Sequence, residues 1–194
     1  MALTRLGPIN NIINGTLGVA NGGTGLTSGT TDQILKFTGT TTLASAAEAA
    51  GAVVQRVVTQ VTDVASDITT TSTSFADMGI DVTITPTDAS NMIDVFFTSS
   101  MTTANGSAEG MANCYVNDQD LAWIDGSVPD FWQVAYKHDT YNKYAPIVWQ
   151  GRYNPSDTSQ LKFTIYGKTS DSSNLFRVAH NRGSYFFSAT EFTV

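Results

Sequence analysis

At 194 residues, with a formal net charge of −7, the chain suits one medium domain with an extension or two small domains, and its acidity argues against polyanionic partners such as nucleic acid or an anionic membrane. Charged residues make up only 14% of the chain, so surface polarity must come from Thr, Ser, Asn and Gln. Cys114 is the only cysteine, which excludes a disulfide within the chain; set in MANCYVND, it reads as a small buried hydrophobe rather than a reactive thiol.

Taken in order, the opening MALTRLGPINNIIN spaces Leu3, Leu6, Ile9, Ile12 and Ile13 almost helically, but Gly7-Pro8 interrupts the pattern. It reads as an arm that docks apolar residues onto a neighbour. No signal-peptide h-region is expected here, and no apolar run approaches the roughly 20 residues that span a bilayer. Residues 15–45, GTLGVANGGTGLTSGTTDQILKFTGTTTLAS, follow. Glycine gives up the most backbone freedom on ordering, roughly 0.5–1 kcal/mol relative to alanine. The apolar residues Leu17, Val19, Leu26, Ile34, Leu35, Phe37 and Leu43 are too few to bury a core. Such a stretch cannot order itself, so other copies of the chain, or a particle that carries it, must supply the contacts. A plain linker is the alternative, opposed by the strand-like QILKF. Leu17, Val19, Gly22, Gly23, Gly25, Leu26, Ile34 and Phe37 are the residues expected to carry assembly and attachment. Ser45-Ala46-Ala47-Glu48 matches a capping box, with Gly51 as a C-cap, and predicts a helix of about two turns.

From Val53 the period changes to two. VVQRVVTQV predicts a strand, and 69–74 a Thr/Ser turn. SFADMGIDVTITP then places Ile80, Val82 and Ile84 on one face, with Pro86 as the stop. NMIDVFFTSSM alternates Ile93, Val95 and Phe97. Asn105-Gly106 signals a hairpin, with MANCYVND continuing the pairing. FWQVAYKHD, APIVWQGRY, LKFTIYGK, LFRVAH and SYFFSATEFTV complete eight to nine strands, with the last tied into a sheet. An all-β, antiparallel β-sandwich of jelly-roll type over 53–194 fits this spacing, preceded by an N-terminal arm with one short helix over 1–52.

Chemistry-bearing patterns are sparse. Gly22-Gly23-Thr24-Gly25 lacks the Lys-Ser/Thr ending of a phosphate loop. His138 and His180 lack metal-ligand spacing, and no nucleophile is marked beside the His138-Asp139 pair. Asn117, Asp118 and Asp120 lack the calcium-loop pattern and read as a solvated turn. Asp118, Asp120, Asp125 and Asp130 cluster in sequence, which does not set the separation a glycosidase needs. Trp123, Phe131, Trp132, Tyr136, Tyr141, Tyr144, Trp149 and Tyr153 form an aromatic belt. Most of these rings belong in the core or at a subunit interface. Trp123, Asp125, Tyr141 and Tyr144 are the candidates for an exposed receptor contact, since rings stack on sugar C–H groups and acceptors fix the hydroxyls. No catalytic residue, metal or cofactor is expected.

The run GVANGGTGLTSGTTDQILKFTGTTTLAS resembles a segment common in tail fibres and other virion appendages of tailed bacteriophages. Residues 55–194, with the lead ITTTSTSFADMGIDVTITP and the final strand YFFSATEFTV, look like terminal β-sandwich domains of the same proteins. The resemblance implies a non-enzymatic virion protein, assembled in the host cytoplasm. It would be a homotrimeric short fibre or fibre-like appendage in contact with other tail or head proteins and with a host surface glycan. A capsid decoration or tail connector, and a carbohydrate-binding module or polysaccharide-degrading spike, are the alternatives.

Overall fold

The structure, a computed structural model, describes residues 33–37, 43–46, 49–64, 67–104, 108–120, 134–137, 144–179 and 183–194. The chain divides into two compact units, Met1–Ala50 and Gly51–Val194.

In the first unit, β1 (Ile34–Phe37) and β2 (Leu43–Ala46) pair antiparallel, with Ile34 opposite Ala46 and Phe37 opposite Leu43. The QILKF strand is therefore present. The helix expected to start at Ser45 is corrected: Ser45 sits inside β2 opposite Leu35. Cross-strand hydrogen bonding outweighs the local preference of the alanines, since helix propensity is a weak prior that tertiary context overrides. No described residue is helical.

The second unit carries β3 (Val53–Val61), β4 (Ile68–Thr70), β5 (Ala76–Ile84), β6 (Met92–Thr103), β7 (Glu109–Val116), β8 (Gln119–Asp120), β9 (Val134–Lys137), β10 (Ala145–Tyr153), β11 (Leu161–Thr169), β12 (Phe176–Val178) and β13 (Tyr185–Phe192). One sheet runs β3-β13-β6-β10 and the other β5-β11-β7-β9, with every pairing antiparallel. Counting only these eight strands in chain order, the sheets read 1-8-3-6 and 2-7-4-5. That is the jelly-roll order expected from the sequence. The short β12 and β4 continue the first sheet beyond β13 and β3: β13 pairs with β6 up to Thr98, and β12 takes over from Met101. β8 and β9 likewise follow one another along β7.

Two local expectations are corrected here. β6 and β7 were expected to pair across Asn105-Gly106, but they lie in opposite sheets, so the connection crosses the sandwich. Thr69 and Thr70, expected within a turn, belong to β4.

Alternation explains the core. β6 turns Ile93, Val95 and Phe97 inward, β5 turns Met78, Ile80, Val82 and Ile84 inward, and β11 turns Leu161, Phe163 and Ile165 inward to meet Phe187 and Ala189 of β13. Cys114 is buried among them, as its apolar neighbours suggested. Phe176 of β12 reaches across to two glycines of the facing sheet. A Cβ on Gly110 would stand 2.1 Å from its ring, and one on Gly167 would stand 2.7 Å from Met78 Sδ. Only glycine permits that approach.

One buried charge ties three segments together. Glu191, on the inner side of β13, is fully buried. Its Oε1 accepts from the Thr87 amide and hydroxyl, both at 2.8 Å, and from Asn91 Nδ2 at 2.7 Å. Its Oε2 accepts from Gln55 Nε2 at 2.6 Å. Burial pushes this carboxyl up, but the hydrogen bonds from Asn91, Gln55 and Thr87 outweigh that and hold it below the ordinary glutamate value.

Candidate functional site

The outward face of the β3-β13-β6-β10 sheet follows from the same alternation. Register places Gln60, Phe186, Thr98 and Val148 in one row across four strands, and Val58, Ser188, Phe96 and Gln150 in the next. Phe96 and Phe186 meet edge to face at 6.1 Å, and the Arg56 guanidinium lies 5.5 Å from the centre of the Phe186 ring. Further along, Arg152 Nη2 pairs with Asp94 Oδ2 at 2.9 Å. This face mixes rings and valines with hydroxyls, and Val148 is 59% exposed.

A cleft of about 640 Å³ opens at the end of this face, within the range of about 300–1,000 Å³ usual for small-molecule sites. Its origin lies in the strand pairing. Between Thr98 and Met101 the neighbour of β6 changes from β13 to β12, and β3 has given way to β4 on the far side. Ser99 and Ser100 lie at that junction. Ser99 Oγ donates to the Ser184 carbonyl at 2.9 Å, the Ala179 amide donates to the Ser100 carbonyl at 2.9 Å, and the Val64 amide donates to the Gly183 carbonyl at 3.1 Å. Ala179 takes a left-handed φ of 53° where the chain leaves the sheet. The walls present the rings of Tyr144 and Phe186, the Pro146 ring, the Gln60 amide and the Thr98 and Ser100 hydroxyls. Tyr144 is 50% exposed. Burial pushes the Tyr185 hydroxyl, also in the lining, above its ordinary value, so it stays neutral. Among the described residues, none that lines the cleft carries a charged side chain.

The opposite sheet has its own outward aromatic group. Tyr115 and Tyr166 stack at 3.9 Å, Phe75 lies 6.1 Å from Tyr115, and Lys168 Nζ is 4.5 Å from the centre of the Phe75 ring. Tyr166 donates to Asp118 Oδ1 at 2.8 Å. Burial first, then Asp118, pushes the Tyr166 hydroxyl up to about 12. Asn117 and Asp118, with φ of 47° and 64°, are the two central residues of the turn between β7 and β8. This is the geometry of a two-residue type I′ hairpin. The NDQD segment thus serves as the turn expected of it, with Asn117 Oδ1 accepting from the Lys162 amide at 2.9 Å.

Of the residues expected to contact a receptor, Tyr144 stands at the cleft, while Trp123, Asp125 and Tyr141 lie outside the described residues. Trp149 of the same belt is buried in the core, and Tyr153 packs edge-on against Phe163 at 5.7 Å. Of the assembly residues, Leu17, Val19, Gly22, Gly23, Gly25 and Leu26 lie outside the described residues, as do His138 and His180. Ile34 and Phe37 lie on β1 and are exposed, Phe37 by 67%, with Leu35 exposed between them. Sequence reading missed Gln60, Thr98, Ser100, Pro146 and Phe186. They come from four strands and share no local pattern.

No family model matches the sequence, and no curated protein matches it. Among solved structures, the VP2 subviral particle of infectious bursal disease virus is similar with a TM-score of 0.40 and 10% identity, over 81% of this chain and 41% of that one. A point mutant of the same VP2, in derived T=1 particles, gives a TM-score of 0.36 and 14% identity over 84% and 41%. The Gx strain of that virus gives 0.28 and 11% over 82% and 44%. The chain spans about two fifths of the length of the chains it matches.

Proposed function

We propose that this chain is a non-enzymatic structural protein of a tailed-phage virion, a short fibre or fibre-like appendage that works as a homotrimer. In this reading the N-terminal third holds the assembly together and the jelly-roll domain faces the host. The observation that carries it is the β1–β2 pair. A lone two-stranded sheet is marginally stable at best in water. This one leaves Leu35 and Phe37 exposed on one face and Ile34 on the other. Its flanks are the glycine- and threonine-rich residues that cannot build a core. Packing identical pairs against one another covers those side chains and supplies the missing contacts. The resemblance of residues 18–45 to phage appendage segments supports the same reading, as does an eight-strand jelly roll, an architecture used by capsid and lectin domains.

Sedimentation of the full chain over a wide concentration range tests it. The expected mass is three times the 20.7 kDa of one chain, and Phe37→Asp shifts it towards the monomer. A wild-type monomer at every concentration, with residues 33–46 protected from protease, overturns the proposal. Immunogold labelling of particles separates a tail appendage from a head decoration or a connector.

A further inference from the structure

We propose that the cleft at the Tyr144 end of the outer sheet binds an uncharged oligosaccharide, of hexose or N-acetylhexosamine units. The inference deepens the attachment half of the reading above and rests on three observations. The first is shape: the cleft is a concavity of about 640 Å³ on the sheet face, formed where β13 hands over to β12 and lined by residues of all four strands from β3 to β10. An extended peptide adding itself as a strand needs an edge; a compact ligand needs a hollow. The second is the pairing of surfaces. Tyr144, Pro146 and Phe186 offer flat apolar faces, and Gln60, Thr98 and Ser100 offer amide and hydroxyl groups. A sugar ring has the matching halves, a C–H face and a rim of hydroxyls that both donate and accept. Ser, Thr and Gln side chains are two-way partners of that kind, whereas Lys and Arg only donate and carboxylates only accept.

The third observation is charge. An anionic ligand taken out of water needs a cation or several oriented donors. Among the described residues none that lines the cleft is charged, and Arg56, the cation beside Phe186, lies over that ring on the neighbouring part of the face. The net charge of −7 adds repulsion. A sulfated, phosphorylated or uronate sugar is therefore disfavoured. A cleft this open gives weak contact per site, and linked copies convert weak contacts into firm attachment.

The test uses the full chain on an array of oligosaccharides with glucose, galactose, mannose, rhamnose, N-acetylglucosamine and N-acetylgalactosamine termini, beside uronate- and sialate-bearing counterparts. Retention of at least one uncharged sugar is expected, with its ring protons showing saturation transfer from the protein in solution. Tyr144→Ala and Gln60→Ala are each expected to weaken that binding at least tenfold. Both positions are exposed, so melting temperature and oligomeric mass stay unchanged. Tyr166→Phe, on the opposite sheet, should bind like the wild type. Failure to retain any uncharged sugar, a preference for the acidic ones, or binding indifferent to Tyr144→Ala and Gln60→Ala overturns the proposal. Because mass is measured on the same samples, a trimer that binds no sugar overturns this inference alone, and a sugar-binding monomer overturns the assembly alone.

Discussion

Glu191 shows how one side chain can decide the acid behaviour of the domain. Its carboxylate is fully buried and satisfied by neutral donors from Gln55, Thr87 and Asn91. Removing it leaves those donors facing one another without an acceptor. Glu191→Ala should lower stability by about 2–4 kcal/mol, read by urea unfolding at neutral pH. The sign of the pH effect follows from the depressed folded-state value. In the unfolded chain glutamate titrates near about 4.3; in the fold it titrates lower. Its contribution is therefore complete above the unfolded value and is lost as pH falls through the folded one. Glu191→Gln should flatten that acid limb relative to the wild type, and what acid dependence remains includes exposed Asp88, held low by Ser90 and raised in the wild type by the Glu191 charge. Thr164 presents the opposite case. It is buried at an outward position opposite Tyr115, and its hydroxyl finds no partner among the described residues. An unmet buried hydroxyl costs about 1–3 kcal/mol, so Thr164→Val should raise the urea midpoint, by about 1 kcal/mol of stability.

At the level of strands, the sandwich is pinned where Phe176 of β12 enters the space left by Gly110 of β7 and Gly167 of β11. Gly110→Ala places a methyl on the ring and should destabilise by about 1–3 kcal/mol, measured by thermal and urea unfolding. The inward faces of β5 and β6 were legible in the sequence, because a strand buried on one side must alternate and a slip of one residue would reverse every side chain. Partners were not legible. NMIDVFFTSSM and MANCYVND flank a hairpin-type dipeptide, and nothing local says that the first pairs with β13 and β10 while the second pairs with β11. The same limit applies to the site. Tyr144 was visible as a loop aromatic, but Gln60, Thr98 and Phe186 share a row only because three distant strands are laid side by side. The helix at Ser45 was misread for a related reason: a capping pattern reports local preference, and β1 supplied a competing ladder.

For the assembled molecule, the proposed contact through Leu35 and Phe37 is apolar, and apolar burial is not screened by salt. The oligomer should therefore hold its sedimentation mass from low salt to about 1 M sodium chloride, whereas an assembly built on ion pairs would dissociate. A different consequence follows from β13 lying between β3 and β6, with Val53 and Met92 both opposite Phe192. During translation the earlier strands of that sheet leave the ribosome without their central member. Their inward side chains stay uncovered until the final segment emerges. Because such distant pairings close slowly, nascent chains stalled before residue 185 should be captured by chaperones.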